Sequence, residues 1–167
     1  MALDPRPVSA SRVRLARTMS VLDANNLGNV HGGVVMREVD NAAGIAAARH
    51  AGRPAVTAGI DELSFKAPVH VGDVLIVEAS VNDVGRTSIE VGVRVEAEPW
   101  QGGARRHTTS AYLVFVAIDE DGNPMPIPPL LPETDDERRR QAQARIRREV
   151  RKERIARIGE WRPEHVV

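Results

Sequence analysis

Asp23-Ala-Asn-Asn-Leu-Gly-Asn-Val-His31-Gly-Gly-Val-Val-Met-Arg-Glu-Val-Asp40-Asn-Ala-Ala-Gly44 changes character at its midpoint. The first half is a polar, turn-rich loop. After the pair Gly32-Gly33 the chain becomes an apolar, Ala-rich run that reads as a helix from about Gly33 to His50. With successive residues about 100° apart, Met36, Val39, Asp40, Ala43 and Ala47 share one arc, so the Asp40 carboxylate points with the apolar face. Removing an unpaired ionised group from water costs at least several kcal/mol, so a carboxylate placed there is paired, protonated or catalytic. Val34 and Ile45 lie on the opposite side. Arg37, Glu38, Asn41 and Arg49 are left as the main polar cover, and the helix is expected to be enclosed on most sides.

Working outward, residues 1–11 read as a frayed terminus. Val13, Leu15, Arg17, Met19 and Val21 alternate with mostly polar neighbours as a first strand, and Gly52-Arg-Pro54 stops the helix. The period then becomes two. Thr57 to Phe65 alternates loosely; Leu75, Val77, Ala79 and Val81 alternate with Ile76, Glu78, Ser80 and Asn82. The clearest strand follows the turn Asp83-Val-Gly-Arg86. Ile89, Val91, Val93, Val95 and Ala97 point one way and Ser88, Glu90, Gly92, Arg94, Glu96 and Glu98 the other, half buried and half wet. Gln101-Gly-Gly103 closes a hairpin, and Thr108 to Ile118 is apolar on both faces, as a central strand should be. One strand, one buried helix and four consecutive strands predict an α+β fold, an antiparallel sheet around one central helix. The prolines from Pro124 to Pro132 make an extended connector. Thr134-Asp-Asp-Glu137 has the spacing of a capping box and opens a helix to about Ile158. Its acids and arginines suit i,i+4 pairs, Asp135 with Arg139, Asp136 with Arg140 and Glu153 with Arg157. Its apolar residues share no face, so it is expected to be solvated over much of its length.

The 167 residues suit one domain plus a tail, divided as a body at 12–126, a connector at 127–133 and a basic helix at 134–158. The absence of cysteine excludes disulfides and thiolate chemistry and fits a reducing, cytoplasmic setting. Residues 138–158 hold nine Arg and one Lys against two Glu, a charge of +8, so the rest of this net-neutral chain sums to −8. The tail lacks interleaved aromatics. It reads as a docking or solvated helix that offsets the acidic body rather than as a nucleic-acid or membrane contact. No stretch has the length of a membrane span.

Asp23-Ala-Asn25, Gly28-Asn-Val-His-Gly-Gly33, Met36 with Asp40, Phe65-Lys-Ala-Pro-Val-His-Val-Gly-Asp73 and Gly85-Arg-Thr-Ser88, in this order, resemble the hotdog-fold acyl-CoA thioesterases over residues 12–126. The resemblance is nearest to the bacterial broad-specificity and brain-type cytosolic acyl-CoA hydrolases. It implies a helix wrapped by a sheet, a homodimer with one continuous sheet, often a trimer of dimers, and acyl-CoA bound between subunits. Coenzyme A is then part of substrate and product, and neither a further cofactor nor a metal is expected. By the same resemblance Asp40 is the base or nucleophile on the thioester. Asn25 orients the attacking water from the other subunit, and the amides of Gly32 and Gly33 hold the oxyanion, an effect of about 3 kcal/mol per donor. Arg86, Thr87 and Ser88, with Thr57, Ala58 and Gly59 on a neighbouring strand, contact the pantetheine and phosphates, and Lys66 is a further phosphate contact.

Each assignment has a plainer competitor. Asp40 could be a structural ion pair, Asn25 a turn residue and Gly85 the whole reason for its turn. His31 suits a loop or cap role better than catalysis. At the level of the protein, the competitor is an acyl-CoA-binding or sensing module without turnover, its basic tail contacting a partner or DNA. Hydration of enoyl thioesters, a third chemistry of this fold, pairs an acid with a histidine in a pattern not found here.

Overall fold

The computed structural model describes residues 3–158. In chain order these form β1 (Arg6–Pro7), β2 (Val13–Thr18), α1 (Gly32–Ala51), β3 (Ala55–Phe65), β4 (Asp73–Val84), β5 (Ser88–Pro99), β6 (Arg106–Ala117), β7 (Leu130–Leu131) and α2 (Asp135–Ile158). Five strands make one antiparallel sheet in the order β2-β4-β5-β6-β3, curved around α1. This is the architecture the alternation predicted. The inward sets of β4 and β5 are buried as read, and β6 adds Ala111, Leu113, Phe115 and Ala117. Val35, Val39, Ala42, Ala43, Ala46 and Ala47 meet them from α1. Alanine's short side chain lets the helix approach the sheet closely, so that both bury their apolar faces in one core.

The ends of α1 are fastened. His31 is its N-cap, with Nδ1 accepting from the Gly33 N–H at 2.9 Å. Gly52 is its left-handed C-cap at φ +69°, and Arg6 donates to the carbonyls of Arg49 and His50 at 3.0 and 2.8 Å. Residues 6–11 are therefore tied down, not frayed: β1 pairs with β7 in parallel, and Val8 and Ser11 are buried. The same pairing gives the proline-rich connector a two-residue strand, seated by buried Ile127 and Leu130.

Two expectations about exposure are corrected. The helix α1 is enclosed on one side, with Met36, Arg37, Asn41, Ile45 and Arg49 exposed along the other. The outer face of the sheet is wet only in part, because α2 lies over Asp83 and Glu90 while Glu78 and Arg94 stay exposed. Arg147 donates to Glu90 at 2.6 Å and stacks 3.6 Å from the Tyr112 ring centroid; Arg148 and Gln141 reach Asp83 at 2.7 and 3.1 Å. Arg151 pairs with Asp61 and Arg12 with Glu137. Glu90 and Asp83 are buried beneath this arginine face, and Ala144 is its one buried apolar contact. The helix docks through charge, so its lack of an apolar face did not mean solvation. The capping box forms as read, Glu137 N–H to Thr134 Oγ1 at 3.2 Å and Thr134 N–H to Glu137 Oε2 at 3.1 Å. Asp136 pairs with Arg140 and Glu153 with Arg157, but Asp135 takes Arg138, one residue nearer than predicted.

Removing Arg147 would strand the Glu90 carboxylate in a buried site. Arg147→Ala is expected to cost about 3 kcal/mol in urea denaturation, with part recovered in Arg147→Ala/Glu90→Ala.

His50 is fully buried, its Nε2–H donating to the Pro128 carbonyl at 3.0 Å and its Nδ1 without a partner among the described residues. Burial, with nearby Arg6 adding to it against the Pro128 carbonyl, holds its pKa below the ordinary 6.5. The unfolded chain then takes up a proton that the folded chain resists, so this stability is present above about pH 6.5 and lost as pH falls. The melting temperature should drop more between about pH 7 and about pH 5 in wild type than in His50→Gln.

Candidate active site

The loop before α1 is held by its own polar groups. Asp23 is buried and accepts from Ser20 N–H at 2.8 Å, Ser20 Oγ at 3.0 Å and Arg17 at 2.7 Å, and its backbone carbonyl accepts from His31 N–H at 2.7 Å. The Ser20 amide first, and then Arg17 and the Ser20 hydroxyl, outweigh burial and hold the Asp23 carboxyl below the usual range. Asn25 Oδ1 accepts from Leu27 N–H at 2.8 Å and Asn29 N–H at 3.2 Å, closing the turn that Gly28 makes at φ +80°. Both acceptor positions of that oxygen are used, so Asn25 presents its Nδ2 as a donor.

This loop, the start of α1 and the end of β3 surround a cavity of about 400 Å³ lined by Asn25, Gly32, Val35, Phe65, Lys66 and neighbours. Gly32 N–H has no hydrogen-bond partner among the described residues. Gly33 does: its N–H is taken by His31, which corrects the expectation that both amides are available. The ring of Phe65 stands at 3.4 Å from where a Gly32 side chain would begin, so glycine keeps the amide approachable.

Asp40 lies elsewhere. Thr57 Oγ1 donates to its Oδ1 at 2.8 Å, fixing one carboxylate oxygen and leaving Oδ2 unengaged. The side chain is half-buried rather than enclosed, because the buried arc of α1 is centred on Val39, Ala43, Ala46 and Ala47 and Asp40 stands at its margin. The apolar surroundings predicted for it are not supplied by this chain alone.

The expected coenzyme A contacts divide. Thr57, Ala58 and Gly59 are on the exposed β3, and Arg86, Thr87 and Ser88 are at the start of β5; β6 runs between them, so they are not on neighbouring strands. Both sets lie at the Asp40 end. Lys66 is at the other, with Asn25 and Gly32: Thr57 pairs with Phe115 and Phe65 with Thr109, six residues of β6 that span about 20 Å. Arg86 is exposed and has no carboxylate partner among the described residues. The contact of Thr57 with Asp40 was not read from the sequence, and a hydroxyl alternating on an edge strand carries no signal for it. Among the described residues no three His, Asp or Glu side chains converge as a metal-binding group.

Residues 27–102 match the family described as the thioesterase superfamily. A Bacillus subtilis protein named an uncharacterized acyl-CoA thioester hydrolase is 40% identical over 116 residues, 70% of this chain and 67% of that protein. The chain belongs to the thioesterase superfamily. Within that superfamily it also matches the mouse cytosolic acyl coenzyme A thioester hydrolase, 35% identical over 139 residues; these are 82% of the chain but only 36% of the mouse protein, so the chain spans about a third of that relative. A crystal structure of an apo-hexameric acyl-CoA thioesterase superposes with TM-score 0.88 at 41% identity, covering 92% of this chain and 99% of that one. The acyl-CoA hydrolase of Staphylococcus aureus, solved with butyryl coenzyme A and coenzyme A, superposes at 0.84 and 33% identity over 91% and 93%. It has also been solved with an aspartate, an asparagine or a threonine replaced by alanine. The sheet around α1 is the hotdog fold.

Asn25→Asp keeps the oxygen that accepts from Leu27 and Asn29, so its unfolding free energy should stay within about 0.5 kcal/mol of wild type. Asn25→Ala, losing both bonds, should cost about 1 kcal/mol by the same measurement.

Proposed function

We propose that this protein hydrolyses acyl-CoA to a free acid and coenzyme A at a site shared by two copies of the chain. The carrying observation is the distance along α1 between Gly32 and Asp40. Eight helical residues rise about 12 Å, and the Gly32 N–H points off the N-terminal end, away from Asp40. A thioester oxygen bound to Gly32 is therefore out of reach of a water held by Asp40 of the same chain. Each chain holds half of a hydrolytic site.

Strand β3 supplies the means of joining the halves. It is a sheet edge with an unpaired backbone and exposed Val56, Ile60 and Phe65. Antiparallel pairing with a second β3 about a two-fold axis near its middle sets Thr57 and Asp40 of one copy beside Phe65, Gly32 and Asn25 of the other. Three such dimers would form a hexamer like the solved neighbour. The aspartate, asparagine and threonine replaced in the Staphylococcus aureus variants stand at the same intervals as Asp40, Asn25 and Thr57, which supports this choice of residues.

In the reaction, Asp40 Oδ2 takes a proton from water while Thr57 holds Oδ1. The water oxygen attacks the thioester carbon, and Gly32 N–H stabilises the oxyanion. The tetrahedral intermediate collapses, the C–S bond breaks and the coenzyme A thiolate leaves, taking up the proton held by Asp40 and returning that side chain to the carboxylate form. Asn25, offering Nδ2–H, orients the water or carbonyl oxygen from the other chain. Arg86, Thr87 and Ser88, with Ala58 and Gly59 at the same end of the chain and Lys66 brought in from the second copy, would meet the pantetheine and phosphates. The competing reading, a binding module whose basic tail contacts DNA or a partner, loses support because Arg147, Arg148 and Arg151 of α2 are engaged by Glu90, Asp83 and Asp61 of the same chain.

Thiol release should be measured across acyl-CoAs from acetyl to palmitoyl. Wild type is expected to turn over at least one of them, and Asp40→Asn to lower kcat by about 100-fold or more with binding largely kept; full activity in Asp40→Asn contradicts the assignment. Co-expressing Asp40→Asn with Asn25→Ala should restore about a quarter of wild-type activity, since half the dimers are mixed and each has one intact site of two. A site within one chain predicts no restoration.

A further inference from the structure

Leu22 and Leu27 are 92% and 85% exposed and Val21 is 76% exposed, the three most exposed large apolar residues of the folded body. They are not on a floppy loop. The segment that presents them is closed by the Asp23 and Asn25 hydrogen bonds, by a backbone bond from Asn25 N–H to Asn29 O at 2.6 Å, and by bridges pairing Ala24 with Val30 and Asn29 with His70. The side chains of Asp23 and Asn25 turn inward to hold the loop and its leucines turn outward. A loop backbone held this way has already lost much of its freedom, which lowers the cost of seating its apolar side chains in an interface. Asn25 lies between the two leucines and is fixed by the same bonds.

The proposed shared site requires this loop to meet the Asp40 region of a second chain. That region carries its own exposed apolar residues, Met36 one helical turn before Asp40 and Val56 next to Thr57 on β3. We infer that Leu22 and Leu27 are positioning residues: they seat the loop against a second copy of this chain and so place the Asn25 amide over that copy's Asp40. This rests on the thioesterase reading and adds to it. The leucines touch no reacting atom, and their effect reaches the reaction through Asn25. Loss of either should lower kcat while leaving coenzyme A contacts, and so KM, nearly unchanged.

The test sorts variants by the half-site they damage. Leu27→Ser, kept as an oligomer by size-exclusion chromatography, is expected to lower kcat at least tenfold with KM within about twofold, and Leu27→Met to restore it. Co-expressed with Asp40→Asn, Leu27→Ser should regain about a quarter of wild-type activity; co-expressed with Asn25→Ala it should regain none, because both lesions fall on the loop half. Leu22→Ser serves as a second variant with the same expected pattern. Equal recovery with both tester chains, recovery with neither, or unchanged kcat in both leucine variants overturns the inference. If Asp40→Asn and Asn25→Ala fail to complement each other, the shared-site reading itself falls and this inference falls with it, which separates the two failures.

Discussion

Eight residues of helix separate the free amide of Gly32 from the carboxylate of Asp40, and a helix is too stiff to bring them together. Everything that could serve the chemistry is distributed around that interval. The loop with Asn25 and the cavity beside Lys66 gather at the N-terminal end of α1. Asp40, the Thr57 hydrogen bond and exposed Arg86 gather at the other. The alanine-packed inner face of α1 fixes the helix against the sheet, so neither cluster can migrate toward the other without opening the core. The unpaired edge of β3 passes both ends and gives a second chain a template along which the halves can meet.

The outer face shows a different solution to burial. Asp83 and Glu90 would be costly beneath a helix unless each had a cation, and α2 answers them with arginines spaced along one side. Arginine suits this role because its planar guanidinium can bind a carboxylate and stack on Tyr112 at once, as Arg147 does. Such docking is specific in register, since a shift of one turn would leave a buried carboxylate opposite the wrong residue. It also divides the molecule electrically, with the basic tail neutralising the acidic body rather than projecting from it.

Much of the fold was legible in the sequence, and the failures share a cause. Helix α1 was read to within a residue at each end because Gly32-Gly33 and Gly52 punctuate it. The inward set Ile89, Val91, Val93, Val95 and Ala97 was correct because one side of β5 faces the core and alternation records that. Periodicity records apolar burial only. Burial under a charged helix leaves no such trace, so Glu90 read as wet and α2 as solvated. Asp40 was placed on the apolar arc because alanines and valines surround α1 almost evenly, which blurs the direction of its buried face. The engagement of Gly33 by His31 and of Asp40 by Thr57 depends on side-chain rotamers and strand register, which a linear pattern does not contain. The resemblance named the candidate residues and assigned Asn25 to the other subunit; the interval along α1 between Gly32 and Asp40 adds a physical reason for that expectation.

The most direct measurement uses the absence of native cysteine. Cysteines placed singly at residues 58 to 62 of β3, and at residues 14 to 18 of β2 as the opposite edge, can form disulfides only between copies of the chain. The account predicts near-complete oxidation to a covalent dimer at one or two adjacent β3 positions, where the two-fold axis brings identical residues together, and no covalent dimer from β2. An oligomeric protein that cross-links through β2, or through neither edge, would contradict the shared site at its foundation.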